Sequence, residues 1–177
     1  MNDMLNLDGV QQIQPLTKET QGFNKYHISL SKLFFLRHFQ IDSFVKAIRQ
    51  SVKMKPFSVS LSGSQLFTNE DKSRSFCSIL VQKGFNQVIQ LIKQIDTVLE
   101  KYKKDVYYSP AVPHCTVGSC VGDHSELARK ESIYGNDYVE VDEYDSDDEN
   151  MIELSVESIH VSIGNQDFEI PLKCNVC

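Results

Sequence analysis

The chain has no tryptophan, and only five prolines and eight glycines stand among its 177 residues. A collagen-like or Pro/Gly-rich low-complexity chain is thereby excluded. Its longest apolar runs, such as Leu33 to Leu36, fall far short of a bilayer span, so no membrane helix is expected. The opening MNDMLNLDGVQQ lacks the basic start and apolar stretch of a secretory leader. An intracellular protein is expected, with its five cysteines as thiols. No Gly-rich phosphate loop of the P-loop or Rossmann type occurs, nor a Gly-x-Ser-x-Gly elbow, which removes the main support for nucleoside-triphosphate and elbow-hydrolase chemistry. Cys174 and Cys177 form one short pair, whereas zinc needs a second at suitable spacing, so no metal and no cofactor are expected.

What is present suits one globular domain. Hydrophobic residues make up 41% and aromatic ones 10%, enough for a core in a chain of this size. The net charge of -6 is unevenly spread. Eleven acidic residues and no basic one lie between Glu131 and Glu157, so the rest of the chain carries +5. A body of that sign can face phosphates, although an ordinary solvated surface explains the charge equally well.

Residues 1–24 are polar and without period, and read as an arm. Lys25 to Ser31 alternates Tyr26, Ile28 and Leu30 against His27 and Ser29, which predicts a strand with one polar face. Ile41, Phe44, Val45, Ile48 and Val52 mark a helix that Pro56 follows. Strands are predicted for Phe57–Leu61, Gln65–Thr68 and Arg74–Val81, and a long helix runs from Phe85 to the basic residues Lys101, Lys103 and Lys104. VPHCTVGSC, Ser158–Ile163 and Phe168–Leu172 read as further strands, the last two flanking a Gly164-Asn165 turn. The acidic segment 131–155 is expected to be a mobile insertion, lowest in complexity between Asp137 and Asn150. The alternation of elements predicts an α+β fold.

Chemistry is concentrated in histidine. Three of the five stand two residues before a hydroxyl: His27-Ile28-Ser29, His114-Cys115-Thr116 and His160-Val161-Ser162. Residues i and i+2 of a strand share a face, so each motif sets an imidazole beside a hydroxyl. Two such strands make an acid/base pair that works near neutral pH, with hydroxyls to hold phosphate oxygens. Periodicity alone does not choose two of the three.

The segment HISLSKLFFLRHFQI, the TNEDKSRSF turn, the helix from Phe85 to Lys104, YYSPAVPHCTVGSCVGD and the terminal GNQDFEIPLK together resemble the U6 small nuclear RNA phosphodiesterase family, within the 2H phosphoesterase superfamily. The resemblance covers residues 25–123 and 156–173. It implies two pseudo-symmetric lobes in residues 25–177, with antiparallel sheets flanking a central groove and helices outside. Each lobe would supply one motif, His27 with Ser29 and His114 with Thr116, leaving His160 a structural histidine. It further implies that Tyr107, or Tyr108 after one added residue, stacks on the terminal base. Backbone around Ile28, Val112, Pro113 and Cys115 would line the groove, with Glu70 near the base. Thr116 replaces the family's usual serine, and the family's additional strand and helix ahead of the first motif have only a polar arm in their place.

The implied activity is a metal-independent 3′-to-5′ RNA exonuclease that trims the oligouridine or adenosine tail of U6 RNA and leaves a 2′,3′-cyclic phosphate or a 3′-phosphate. A nuclear, monomeric enzyme with RNA as partner is expected, with no membrane association. The alternatives are another 2H activity, cyclic phosphodiesterase or ligase-like on tRNA-type ends, and a non-catalytic RNA 3′-end-binding module.

Overall fold

The computed structural model describes residues 14–15, 26–125 and 151–173, and the chain divides into two units. The first contains residues 1–28, 62–80 and 114–149 and is built on a sheet; the second contains residues 29–61, 81–113 and 150–177 and carries both helices. The antiparallel sheets and helices bear out the α+β class.

In the first unit β1 (Gln14–Pro15) pairs with β4 (His114–Val121), which pairs in turn with β3 (Arg74–Val81) and through it with the C-terminal half of β2 (Phe57–Thr68). One flank of β4 is taken by β3. On the other, Ile28 bridges Cys115, and Gln14 and Pro15 pair with Ser119 and Gly118. The sequence placed Gln14 and Pro15 in an arm; here they cover part of an edge that would otherwise expose its backbone groups. The β2–β3 turn closes on itself: Arg74 N donates to Asn69 Oδ1 at 3.0 Å, and Ser73 N to Asp71 Oδ1 at 3.0 Å. Hydrogen bonds from Ser73 hold the Asp71 carboxyl below its ordinary range. Lys72 pairs with Asp123 at 3.2 Å.

The second unit is organised by apolar stripes. Helix α1 (Ile41–Ser51) buries Phe44, Val45 and Ile48, and α2 (Phe85–Lys101) buries Val88, Leu91, Ile92, Ile95, Val98 and Leu99. Both sets follow the three- and four-residue spacing of one helix face. Phe44 and Ile48 of α1 and Leu91, Ile95, Val98 and Leu99 of α2 pack with Ile159, Ile170 and Leu172 of the hairpin region formed by β6 (Ser158–Ile163) and β7 (Gln166–Pro171). Phe44 lies edge-on to Tyr102, with centroids 5.1 Å apart. The N-terminal half of β2 pairs with β5 (Ile152–Val156) from Phe57–Val156 to Leu61–Ile152.

Three expectations are corrected. The strand expected over Lys25–Ser31 does not form in its described part: among residues 26–31 only Ile28 pairs, and bends flank it at Tyr26 and Leu30. Tyr26 is accordingly 61% exposed rather than directed inward. The two short runs 57–61 and 65–68 are one continuous strand, whose polar Ser62-Gly63-Ser64 centre accommodates Gly63 at φ 69°. Residues 152–155, read as part of the acidic insertion, lie in β5; the expectation for Asp137–Asn150 lies outside the described residues.

Gly84 starts α2 at φ 79°, and a Cβ there would stand 2.5 Å from the Ser58 carbonyl oxygen. The position therefore excludes side chains twice, by backbone conformation and by space. Gly84→Ala should cost about 2 kcal/mol, lowering Tm by roughly 4–8 °C in a calorimetric scan. A change under about 1 °C would show that the approach to Ser58 is slack.

Candidate active site

Both histidines singled out by the sequence resemblance belong to the first unit, where a single backbone pairing relates them. Ile28 and Cys115 pair antiparallel, so the same register sets His27 across from Thr116. Side chains opposite one another share a face, and His114 lies on the face of β4 that carries Thr116. The two imidazoles are thus brought to neighbouring backbone positions beside one hydroxyl. His27 is exposed and His114 half-buried. Ser29 is half-buried and starts the second unit, two residues beyond His27.

Two residues that sequence reasoning missed hold this arrangement. Thr116 Oγ1 lies 3.0 Å from Ser78 Oγ, and Ser78, across β3, is fully buried. Immediately after the motif the β3–β4 register slips: Ser78 faces Thr116 and Cys77 faces Gly118, which leaves Val117 as a bulge. The His114 ring stacks on Phe67 of β2, with centroids 4.2 Å apart and planes 21° from parallel. Alternation marked Phe67 and Ser78 as strand residues, but the non-local pairing that delivers them to the motif has no local signal.

On the opposite face of β4 the thiol of Cys115 is buried. Burial pushes it above the ordinary thiol range, partly offset by a hydrogen bond from the His27 backbone. Cys77, Cys115 and Cys120 form no disulfide. Among the described residues no group of His, Cys, Asp and Glu could hold a metal ion, and no helix is long and apolar enough to cross a membrane.

Glu70 is exposed on the β2–β3 turn, at the end of the sheet where Arg74 pairs with Val121, whereas His114 pairs at the other end with Leu80. The structure does not bring it to the imidazoles through the strand register. In the second unit Pro113 is fully buried and its carbonyl accepts from Val81 N at 3.1 Å, while Val112 is half-buried. Tyr107 is 6% exposed; its backbone N–H donates to Asp96 Oδ1 at 2.9 Å, and burial, with Tyr108 beside it, pushes its phenol upward. Tyr108 is 52% exposed, with Lys32 Nζ 4.3 Å from its ring centroid. Of the two tyrosines, only Tyr108 offers an open ring. His160 is exposed on β6 opposite Glu169, and Ser162 of its motif donates to Asp167.

U6 snRNA phosphodiesterase 1 of Drosophila melanogaster is 29% identical over 157 residues, 88% of this chain and 58% of that protein. Its Bos taurus counterpart is 30% identical over 149 residues, 84% of this chain and 56% of that protein. The chain thus spans somewhat over half the length of these relatives. The solved structure of Kluyveromyces marxianus Usb1 shares the fold, with a TM-score of 0.55 and 17% identity over 90% of this chain and 81% of that one. The structure of Kluyveromyces marxianus Usb1 with uridine monophosphate gives a TM-score of 0.54 at 18% identity, with the same coverage. A family model described as "HVSL: Uncharacterised conserved protein" matches residues 4–171. That span takes in both histidine motifs and the strands that pair them, and the chain belongs to the HVSL family, with U6 snRNA phosphodiesterases among its relatives.

Proposed function

We propose that the protein is an RNA phosphodiesterase that shortens the 3′ end of U6 RNA by transesterification. The observation that carries this reading is the Ile28–Cys115 bridge, because its register sets two imidazoles and a threonine hydroxyl on one face. The names of the relatives supply the substrate, and the uridine monophosphate in the related Usb1 structure fits a terminal uridine.

In this mechanism His27 takes the proton from the 2′-hydroxyl of the penultimate nucleotide. The 2′-oxygen attacks the adjacent phosphorus, the bond from phosphorus to the 5′-oxygen breaks, and His114 protonates that oxygen. The last nucleoside leaves and a 2′,3′-cyclic phosphate remains. Thr116, held by Ser78, donates to a nonbridging oxygen as its charge develops; Ser29 is the corresponding hydroxyl of the first motif. Phe67 supports the His114 ring, and a cation over an aromatic face is favoured, which suits a histidine that must carry the proton. Tyr108 is the ring available to stack on a base. An enzyme acting on U6 RNA belongs in the nucleus.

Two other readings give different products. Mixing the protein with oligouridine in EDTA and weighing the products should show chains shortened from the 3′ end with cyclic phosphate termini. Opening of an added cyclic phosphate without shortening would indicate a different phosphoesterase activity, and bound but intact RNA would indicate an end-binding module. Deoxyribose at the penultimate position should block cleavage. Cutting as fast as all-RNA would make water the nucleophile.

His27→Ala and His114→Ala should each lower the rate about 10²- to 10⁴-fold, while His160→Ala should change it little. Equal losses at all three would defeat the assignment. Ser78→Ala removes one hydrogen bond to Thr116, worth about 1 kcal/mol, and should slow turnover about fivefold. Thr116→Val should cost at least ten times more; equal effects from the two would mean that Ser78 matters for folding rather than for placing the hydroxyl.

A further inference from the structure

Between Lys32 and Arg37 the second unit belongs to no helix or strand, and one short turn, His38–Gln40, leads into α1. Its side chains are sorted by alternation. Phe34 and Leu36 pack on the core, while Leu33, Phe35 and Phe39 are 92%, 82% and 74% exposed. Three large apolar side chains so close together and so open are more than the scattered surface hydrophobes of an ordinary protein. Cations are interleaved with them: Lys32, Arg37 and His38 lie in the same stretch, and the nearest carboxylate in sequence is Asp42. The Tyr102 hydroxyl donates to Ser43 at 2.9 Å, which brings the end of α2, with exposed Lys101 and Lys103, to the start of α1. At the other end of the stripe, Lys32 lies over the open ring of Tyr108.

We propose that this stripe of the second unit binds single-stranded RNA. Bases stack on Phe35 and Phe39, Leu33 adds apolar contact, and Arg37 with Lys32 neutralises phosphates. The inference rests on the reading of the substrate as RNA. A protein partner would need apolar surface but not an acid-free run of cations threaded through it, and the contact from Lys32 to Tyr108 joins the stripe to the ring already assigned to a base. Successive outward side chains of an extended segment stand about 7 Å apart, so each can meet a different nucleotide.

The test uses a fluorescein-labelled ten-nucleotide oligodeoxyuridine, which lacks the 2′-hydroxyl, for binding by anisotropy, and the diribonucleotide UpU for turnover. Leu33→Ser/Phe35→Ser/Phe39→Ser should weaken binding of the ten-mer at least tenfold and leave UpU turnover within about twofold. Arg37→Glu, which removes no packed side chain, should weaken binding and reduce the salt slope by about 0.7; it decides the matter if the triple variant loses its folded circular dichroism. Unchanged binding in Arg37→Glu and the folded triple variant overturns the proposal. So does self-association of the wild type that the triple substitution abolishes while RNA binding persists, which would make the stripe a contact between protein chains. If the wild type binds the ten-mer through the stripe yet cleaves no RNA, the stripe stands and the enzymatic reading falls.

Discussion

A single backbone pairing, Ile28 to Cys115, is the constraint that holds the two histidine motifs of the first unit together. The first motif has no strand of its own to hold it, since bends flank Ile28 at Tyr26 and Leu30. Without the bridge His27 would sit on a loose connection with no defined relation to His114. On the opposite face of β4 the Cys115 side chain is buried. A small, half-polar side chain suits that position: it packs against the first motif without competing for the face that carries the imidazoles.

The other supports are graded by what they must hold. Thr116 is placed by a fully buried serine and followed by a bulge, which ends the regular register. His114 is backed by the face of Phe67, a contact that leaves the imidazole half-exposed. His27 is the most exposed of the three and has the least regular backbone around it. The second unit works differently. Its stability comes from the buried stripes of α1 and α2, so its surface is free to vary, and the open Leu33, Phe35 and Phe39 are departures that core packing does not require.

How much was legible follows from which signals are local. Arg74–Val81 and Ser158–Ile163 have the predicted bounds, and the two helices begin where their apolar periods begin. These elements carry their own pattern. The β5 alternation of Ile152, Leu154 and Val156 was equally present but masked by the acidic residues before it. The apparent alternation around His27 was misleading, because a strand needs a partner along its length and Ile28 alone has one. Phe67 and Ser78 could not be found from sequence, since which residues face His114 and Thr116 depends on register. The choice between Tyr107 and Tyr108 depends on burial: Asp96 secures the Tyr107 backbone and that ring is enclosed, leaving Tyr108 outside.

The central claim is that the two imidazoles divide the proton transfers, His114 serving the leaving group. It is tested most directly with an oligouridine whose last linkage carries sulfur in place of the 5′-oxygen, because a thiolate leaves without protonation. His114→Ala should cut that substrate nearly as fast as the wild type, while His27→Ala should remain slow on both substrates. If sulfur rescues both variants equally, or rescues His27→Ala alone, the assignment of base and acid is contradicted.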